Sequence, residues 1–391
     1  MDVIITSNSP GELATWVEPL VKVWCERHPD WHFCLALVPC PFASGRELEF
    51  ARQIPGLCEI WTPRQTLKMM LGGRLLRPVA DKGLVVYLGG DPWHAWVLAR
   101  RWGYPRVAYA THGNFLWHTF DRVGTQRPEL AERLQRKGVK ARCVGYVGRE
   151  PVKSDVAEDD QVTIGLFPGS RPMLLRYTFA PFLEIARSLQ EKMPQIRQIM
   201  AVSPFVNREI LENILASPGN CGVKRGKGKF EGNVLHIENG PDVEVVWGDS
   251  HRVLPRIQGA IAIPGTSTGE IAAAGKALLV GLSCNMAIPR GGLGWILEHL
   301  PGLKSFQERQ HMNYYKRQRF AAQPNRWAQE MIAPEIMVKD DLEVLVREAV
   351  SLFSDGQRCR EMGQRLATIM GNPGLAVRKL ADYLVEDGDN A

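Results

Sequence analysis

Ile261-Ala-Ile-Pro-Gly-Thr-Ser-Thr-Gly-Glu270-Ile-Ala-Ala-Ala-Gly-Lys-Ala-Leu-Leu-Val-Gly-Leu282 begins as a short apolar run, breaks at Pro264-Gly265 and resumes as an Ala-rich helical segment. That order is strand, tight turn and helix N-terminus. Amides without an intrahelical acceptor gather at such a helix start, and with the helix dipole they favour a phosphate or another anion. Gly265, Thr266, Ser267 and Thr268 supply them here. Glu270 falls in the first helical turn, where a carboxylate complements the dipole and can also face a ligand held at the turn. Its oxygens only accept, which suits the paired hydroxyls of a ribose. At this level both readings of Glu270, helix support and ligand contact, stand open.

Working outward, the same unit recurs. Asp2-Val-Ile-Ile-Thr6 runs through Ser7-Asn8-Ser9-Pro10-Gly11-Glu12 into a helix ending near Arg27, and Val162-Thr-Ile-Gly-Leu-Phe167 runs through Pro168-Gly169-Ser170-Arg171 into a helix ending near Met193. Arg171 adds a permanent charge whose planar fork fits phosphate oxygens. Apolar strands at 84–88 and 106–110 lead into Gly89-Gly90-Asp91-Pro92-Trp93-His94 and Thr111-His112-Gly113-Asn114. Each delivers polar side chains at the carboxyl end of a strand, the edge where doubly wound sheets bind ligands. Strand and helix alternate in both halves, so the class is α/β. The chain's 391 residues exceed one ordinary core and suit two such domains.

With 45% hydrophobic and 23% charged residues the composition is that of a soluble globular protein. No apolar run approaches the ~18 residues of a membrane span, and the chain enters a strand directly, so a cytoplasmic protein is expected. The 8 cysteines, at 25, 34, 40, 58, 143, 221, 284 and 359, show no Cys-x-x-Cys pair and no histidine at metal spacing; no metal is expected. A net charge of +6 favours anionic partners such as nucleotide phosphates or a membrane surface. Nucleic acid is not among the expected partners. Between Leu67 and Pro78, the apolar Met69, Met70, Leu71, Leu75 and Leu76 alternate with Lys68, Arg74 and Arg77. This pairing suits a segment lying on anionic lipid, and equally an ordinary helix packed on the sheet. Trp295, Ile296 and Leu297 echo the apolar half of it, and Lys224, Arg225, Lys227 and Lys229 mark an exposed basic loop or hairpin tip.

These motifs stand in an order that resembles the lipid-A-disaccharide synthase family of GT-B glycosyltransferases. Phe167-Pro-Gly-Ser-Arg171 matches that family's Leu-Pro-Gly-Ser-Arg, and Pro264-Gly-Thr-Ser-Thr-Gly-Glu270 its Ser-Gly-Thr-x-x-Leu-Glu. Leu88-Gly-Gly-Asp91-Pro-Trp-His94 is similar to its Gly-Ile-Asp-Ala-Pro-Asp loop, Val144-Gly-Tyr-Val147 to its Val-Gly-His-Pro, and Ala333-Pro-Glu-Ile336 to its Val-Pro-Glu-Leu. Pro10-Gly11-Glu12 stands where the family has a Gly-rich loop ending in Gly-Asp. The departures fall in the first half: Asn8 replaces a Glu, one Asp of the Gly-Gly-Asp loop is missing, and Tyr146 replaces the linker His.

The resemblance implies a GT-B fold of two Rossmann-like domains facing across a cleft. Residues 1–155 would take the acceptor and 156–372 the nucleotide-sugar donor, with the helix 373–391 crossing back to the first domain. It implies an inverting transfer of an N-acetylglucosamine-type sugar from a UDP-sugar to a lipid-linked or glycolipid acceptor at the inner membrane face. Asp91 is the first candidate for the base, with His112 and Glu12 behind it. Gly11, Gly169, Ser170, Arg171, Gly265, Thr266, Ser267, Thr268 and Glu270 would hold the donor. A non-hydrolysing UDP-sugar 2-epimerase and an inactive nucleotide-binding scaffold at the membrane are the alternatives.

Overall fold

β1 (Asp2–Ser7) is buried along its whole length, which is why it is rich in β-branched apolar residues without a polar alternation. In the computed structural model, which describes residues 1–40, 43–73, 80–152, 161–219, 223–283, 319–338 and 341–386, the chain forms two units. One is Met1–Glu150 with the chain from Asn372 onward, the other Pro151–Gly371. The first unit continues with α1 (Glu18–Arg27), β2 (His32–Leu37), α2 (Glu47–Ala51), β3 (Leu57–Trp61), α3 (Pro63–Met70), β4 (Gly83–Tyr87), α4 (Pro92–Trp102), β5 (Arg106–Ala110), β6 (Arg122–Thr125), α5 (Pro128–Gln135) and β7 (Ala141–Cys143). Its strands form a 7-stranded parallel sheet in the order β3-β2-β1-β4-β5-β6-β7. The order reverses between β1 and β4, which places a ligand crevice at their carboxyl ends.

The expected single helix to Arg27 is interrupted. An α turn at Pro10–Glu12 passes into a π-helical stretch, Leu13–Val17, before α1 begins. Pro19 accounts for it: it has no N–H for the carbonyl of Thr15, its ring would crowd that carbonyl, and the wider turn relieves both.

α3 corrects half of the membrane-segment expectation. Met69 and Met70 are partly buried against the core that contains Trp61 and Leu98, so they are spent on packing. Lys68 is exposed, and Leu71 is 89% exposed. Arg74, Leu75, Leu76 and Arg77 lie outside the described residues, as do Trp295, Ile296 and Leu297. Among the described residues no helix is long and apolar enough to cross a membrane.

The second unit holds β8 (Thr163–Phe167), α6 (Pro172–Lys192), β9 (Arg197–Val202), α7 (Arg208–Ala216), β10 (Gly228–Glu231), β11 (Val234–Ile237), β12 (Asp242–Trp247), β13 (Gly259–Ala262), α8 (Thr266–Ala273), β14 (Ala277–Ser283), α9 (Gln323–Ala328), β15 (Glu335–Val338), α10 (Glu343–Phe353) and α11 (Gly356–Met370). Its 8-stranded sheet runs β10-β11-β12-β9-β8-β13-β14-β15. Only the β10–β11–β12 pairings are antiparallel, so Lys229 of the basic stretch lies on the edge strand of a hairpin. Here the order reverses between β8 and β13.

α12 (Pro373–Val385) belongs to the first unit. The Trp24 indole donates to the Ala381 carbonyl at 3.2 Å, and the Tyr383 hydroxyl donates to Lys140 O at 2.8 Å. Leu380, fully buried, fills the space left by Gly124, where a Cβ would stand 2.4 Å from Leu380 Cδ1. Leu380→Ala should therefore cost about 2–5 kcal/mol, as large-to-small changes in a closed core do. Thermal unfolding should show the first unit melting earlier with the second unit's transition unmoved; a shift of both transitions would contradict this.

Candidate active site

β8 and β13 are paired in parallel with Phe167 opposite Ala262, so the turns after them emerge at one level. The Ile263 amide donates to Phe167 O at 3.2 Å, and the turns touch at Gly169, where a Cβ would meet Ile263 Cδ1 at 2.7 Å. Gly169 also has φ +120°, so this residue is required by backbone and contact alike. The buried Thr178 hydroxyl, in the second turn of α6, donates to Pro168 O at 2.7 Å and ties the Pro-Gly-Ser-Arg turn to its own helix. Nothing in the sequence marked Thr178.

Arg171 is the N-cap residue of α6, with Pro172 at the first helical position; its carbonyl accepts from the Leu174 and Leu175 amides, each at 3.0 Å. Gly265 is the N-cap residue of α8, and Gly265 and Thr266 are exposed. Two helix N-termini thus open at the point where the strand order reverses, an arrangement whose free amides and dipoles favour an anion.

Thr268 is corrected. Its amide donates to Gly265 O at 3.2 Å, its buried hydroxyl donates to the same carbonyl at 2.7 Å and accepts from the Gln323 amide at 3.3 Å. Both groups are consumed inside the turn, which leaves the Thr266 and Ser267 amides to meet a ligand. Glu270 is partly buried, and the Ser250 hydroxyl donates to its Oε2 at 2.9 Å. Ser250 opens a 3₁₀ turn, Ser250–Arg252, that follows β12 and is capped by Asp249, which accepts from the His251 amide at 2.9 Å. Ser250 fixes the rotation of the Glu270 carboxylate. Gly248-Asp249-Ser250 at a strand's carboxyl end was the available signal for it.

The first unit builds its crevice differently. Glu12 accepts from the Ser9 amide at 3.2 Å, and its carboxylate lies so close to the Gly89 backbone that a Cβ there would stand 2.0 Å from Oε2. Gly90, with φ +84°, is pressed against Val38 and Asn8. The loops after β1, β2 and β4 therefore interlock, and Glu12 serves that junction, which weakens its case as a base. Gly11 lies in this unit, in the turn Pro10–Glu12, while the other residues grouped for the donor belong to the second unit. Asp91 is exposed at the start of α4, where it accepts from the Trp93 amide at 3.2 Å.

Its neighbour Tyr87 donates to Gly90 O at 2.9 Å; burial first, then the charges of Glu12 and Asp91, push its hydroxyl pKa up, so it stays protonated. His94 is buried, with Nδ1 3.0 Å from Asp91 O and its ring tilted against Trp93 at 4.3 Å between centroids. Lost solvation lowers its pKa, partly offset by its bond to the Asp91 backbone and by the Asp91 charge. His112 sits in the loop after β5, with Thr111 Oγ1 3.2 Å from Nδ1, and desolvation of its ring lowers its pKa. The structure brings Glu12 and Asp91 around Tyr87, and His112 to the same sheet edge in the next loop along, after β5.

No protein-family model matches the chain. Among curated relatives, a lipid-A-disaccharide synthase of Anaeromyxobacter sp. (strain K) is 27% identical over 150 residues, 34% of this chain and 39% of that protein. The match thus spans well under half of the relative's length. A solved structure titled a putative UDP-N-acetylglucosamine 2-epimerase from Listeria monocytogenes aligns over 100% of this chain and 98% of its own, with a TM-score of 0.54 at 14% identity. The calicheamicin glycosyltransferase CalG4 aligns over 99% of each chain, with a TM-score of 0.53 at 13% identity. The fold is therefore GT-B, two Rossmann-like units in one chain.

The lowered pKa of His94 makes a signed prediction. Unfolding raises it toward the ordinary value of about 6.5, so the unfolded chain binds more protons than the folded one between the two values. The stability that depends on a neutral His94 is complete above about pH 6.5 and lost as pH falls through the folded value. His94→Phe, which keeps an aromatic ring against Trp93, should narrow the gap between melting temperatures at about pH 7.5 and about pH 5.5. An unchanged gap would mean that His94 carries none of the dependence.

Proposed function

We propose that the chain is an inverting glycosyltransferase that moves a sugar of the N-acetylglucosamine type from a UDP-sugar to a lipid-linked or glycolipid acceptor at the inner membrane face. The observation that carries this reading is the pair of helix N-termini at the β8–β13 reversal with Glu270 held beside them. The name of the curated relative supports the chemistry. The Thr266 and Ser267 amides and Arg171 take the diphosphate, and Glu270, steadied by Ser250, accepts from the ribose hydroxyls. An acceptor hydroxyl oxygen attacks the anomeric carbon and gives its proton to a base, while the bond from that carbon to the phosphate oxygen breaks with both electrons going to the leaving UDP. The dipoles and the guanidinium stabilise that departing charge, so the reading calls for no metal. Asp91, exposed at a helix start, is the first base; His112, whose neutral form desolvation favours, is the second.

Glu270→Ala should weaken UDP binding by about 1.5–3 kcal/mol through the loss of hydrogen bonds to a charged group. Calorimetry showing unchanged affinity would take Glu270 out of the site. Arg171→Lys keeps the charge and loses the fork, so UDP should bind more weakly while uridine hardly changes; equal losses for both ligands would assign Arg171 a structural role. The decisive assay incubates the chain with a panel of UDP-sugars and lipid extract. UDP release that requires lipid, together with a mass-shifted lipid, is expected. Conversion of the UDP-sugar to its epimer without lipid would replace transfer by epimerisation.

A further inference from the structure

One residue beyond His112, the first unit opens a cavity of about 600 Å³, a volume typical of a small-molecule site. Trp117, Leu134 and Val139 form its buried floor, and Phe115, Arg133 and Lys137 its exposed rim. The floor is apolar in character as well as composition, because the Trp117 indole N–H is already donated to His112 O at 2.9 Å. Phe115, 79% exposed, leaves a phenyl ring in water at the lip of this hollow.

The rim is cationic without compensation. Among the described residues neither Arg133 nor Lys137 pairs with a carboxylate, although their neighbours do: Glu132 takes Arg136 at 3.5 Å and Glu129 takes Arg127 at 3.1 Å. Arg133, in the last turn of α5, and Lys137, two residues past its end, carry like charges that repel. The end of α5 favours cations through its dipole, but that does not account for the apolar cavity they border. Arg133 is, moreover, drawn over the His112 loop: a Cβ on Gly113 would stand 2.1 Å from Nη2.

We infer that this cavity binds one molecule of an anionic amphiphile, with a phosphate at Arg133 and Lys137 and the aliphatic body against Phe115, Trp117, Leu134 and Val139. A neutral sugar would leave the cations unanswered, and an inorganic anion would leave the apolar floor open. Identifying the occupant as the acceptor rests on the transferase reading; the binding does not. Because the cavity wall continues the loop that carries His112, an acceptor anchored there is held at the edge of the sheet where that reading places the base.

The test titrates the full chain by calorimetry with decyl phosphate below its micelle concentration, with decanol and inorganic phosphate in parallel. Saturable binding of one decyl phosphate per chain is expected, at least about tenfold tighter than either control. Arg133→Glu combined with Lys137→Glu, both exposed, should lose at least about tenfold, and Phe115→Ala a smaller factor, with UDP affinity unchanged. Equal affinity in the charge-reversed chain, or decyl phosphate no tighter than inorganic phosphate, overturns the inference. Sedimentation with phosphatidylglycerol vesicles separates the two sources of a lipid phosphate: pelleting without any binding of the monomer would make the patch a membrane-docking surface and overturn the pocket. Decyl phosphate binding in a chain that does not bind UDP would uphold the pocket while removing the donor reading.

Discussion

The parallel pairing of β8 with β13 is the constraint on which the second unit depends. Both strands are buried throughout, and pairing Phe167 with Ala262 brings their turns out together. A slip of one residue would turn every side chain to the opposite face and would separate Gly169 from Ile263. From that register follow the adjacent starts of α6 and α8, the amides of Thr266 and Ser267, and the place of Arg171 at an N-cap. Thr178 then ties down the Pro168 carbonyl, and Thr268 with Gln323 the Gly265 carbonyl, so hydrogen bonds brace both turns.

The first unit repeats the topology with different chemistry. Its reversal at β1 and β4 is closed by side chains, Glu12 against Gly89 and Gly90 against Val38, where the second unit leaves helix amides open. It therefore offers titratable groups in place of an anion hole. Desolvation governs them: it raises the Tyr87 hydroxyl and lowers His94 and His112, so the phenol stays protonated and the imidazoles favour their neutral form. Asp91 and the His112 imidazole at one sheet edge suit proton transfer better than charge binding, while the protonated Tyr87 phenol holds the Gly90 carbonyl.

The division between what could be read along the chain and what could not follows the range of the interactions. β1, β2, β4, β5, β8, β9, β12, β13 and β14 announce themselves as apolar runs because the strands of a covered parallel sheet are buried on both faces. β3, β6, β11 and β15 escape that reading, since they are short and carry residues such as Glu59, Arg122, His236 and Glu335 within the strand. Helix starts were legible at Pro10, Pro172 and Thr266, where Pro or Gly falls at the turn, whereas the helix that begins at Pro92 lay inside what read as a loop. The π stretch before α1 was not, because it answers a clash four residues back from Pro19.

By itself, then, the sequence determined the α/β class, two units, and the strand-turn-helix elements that place Arg171, Glu270, Asp91 and His112 at carboxyl edges, since each of these depends on local periodicity and turn chemistry. Only the tertiary structure decided what those residues are free to do. It gave Ser250 to Glu270, spent Thr268 on its own turn, set Glu12 on the Gly89 backbone, packed Met69 and Met70 against the core, and opened a cation-rimmed cavity between the His112 loop and α5. Those outcomes depend on which atoms a packed sheet brings within a few ångströms of one another, and contacts between residues distant in the chain leave no periodic trace along it.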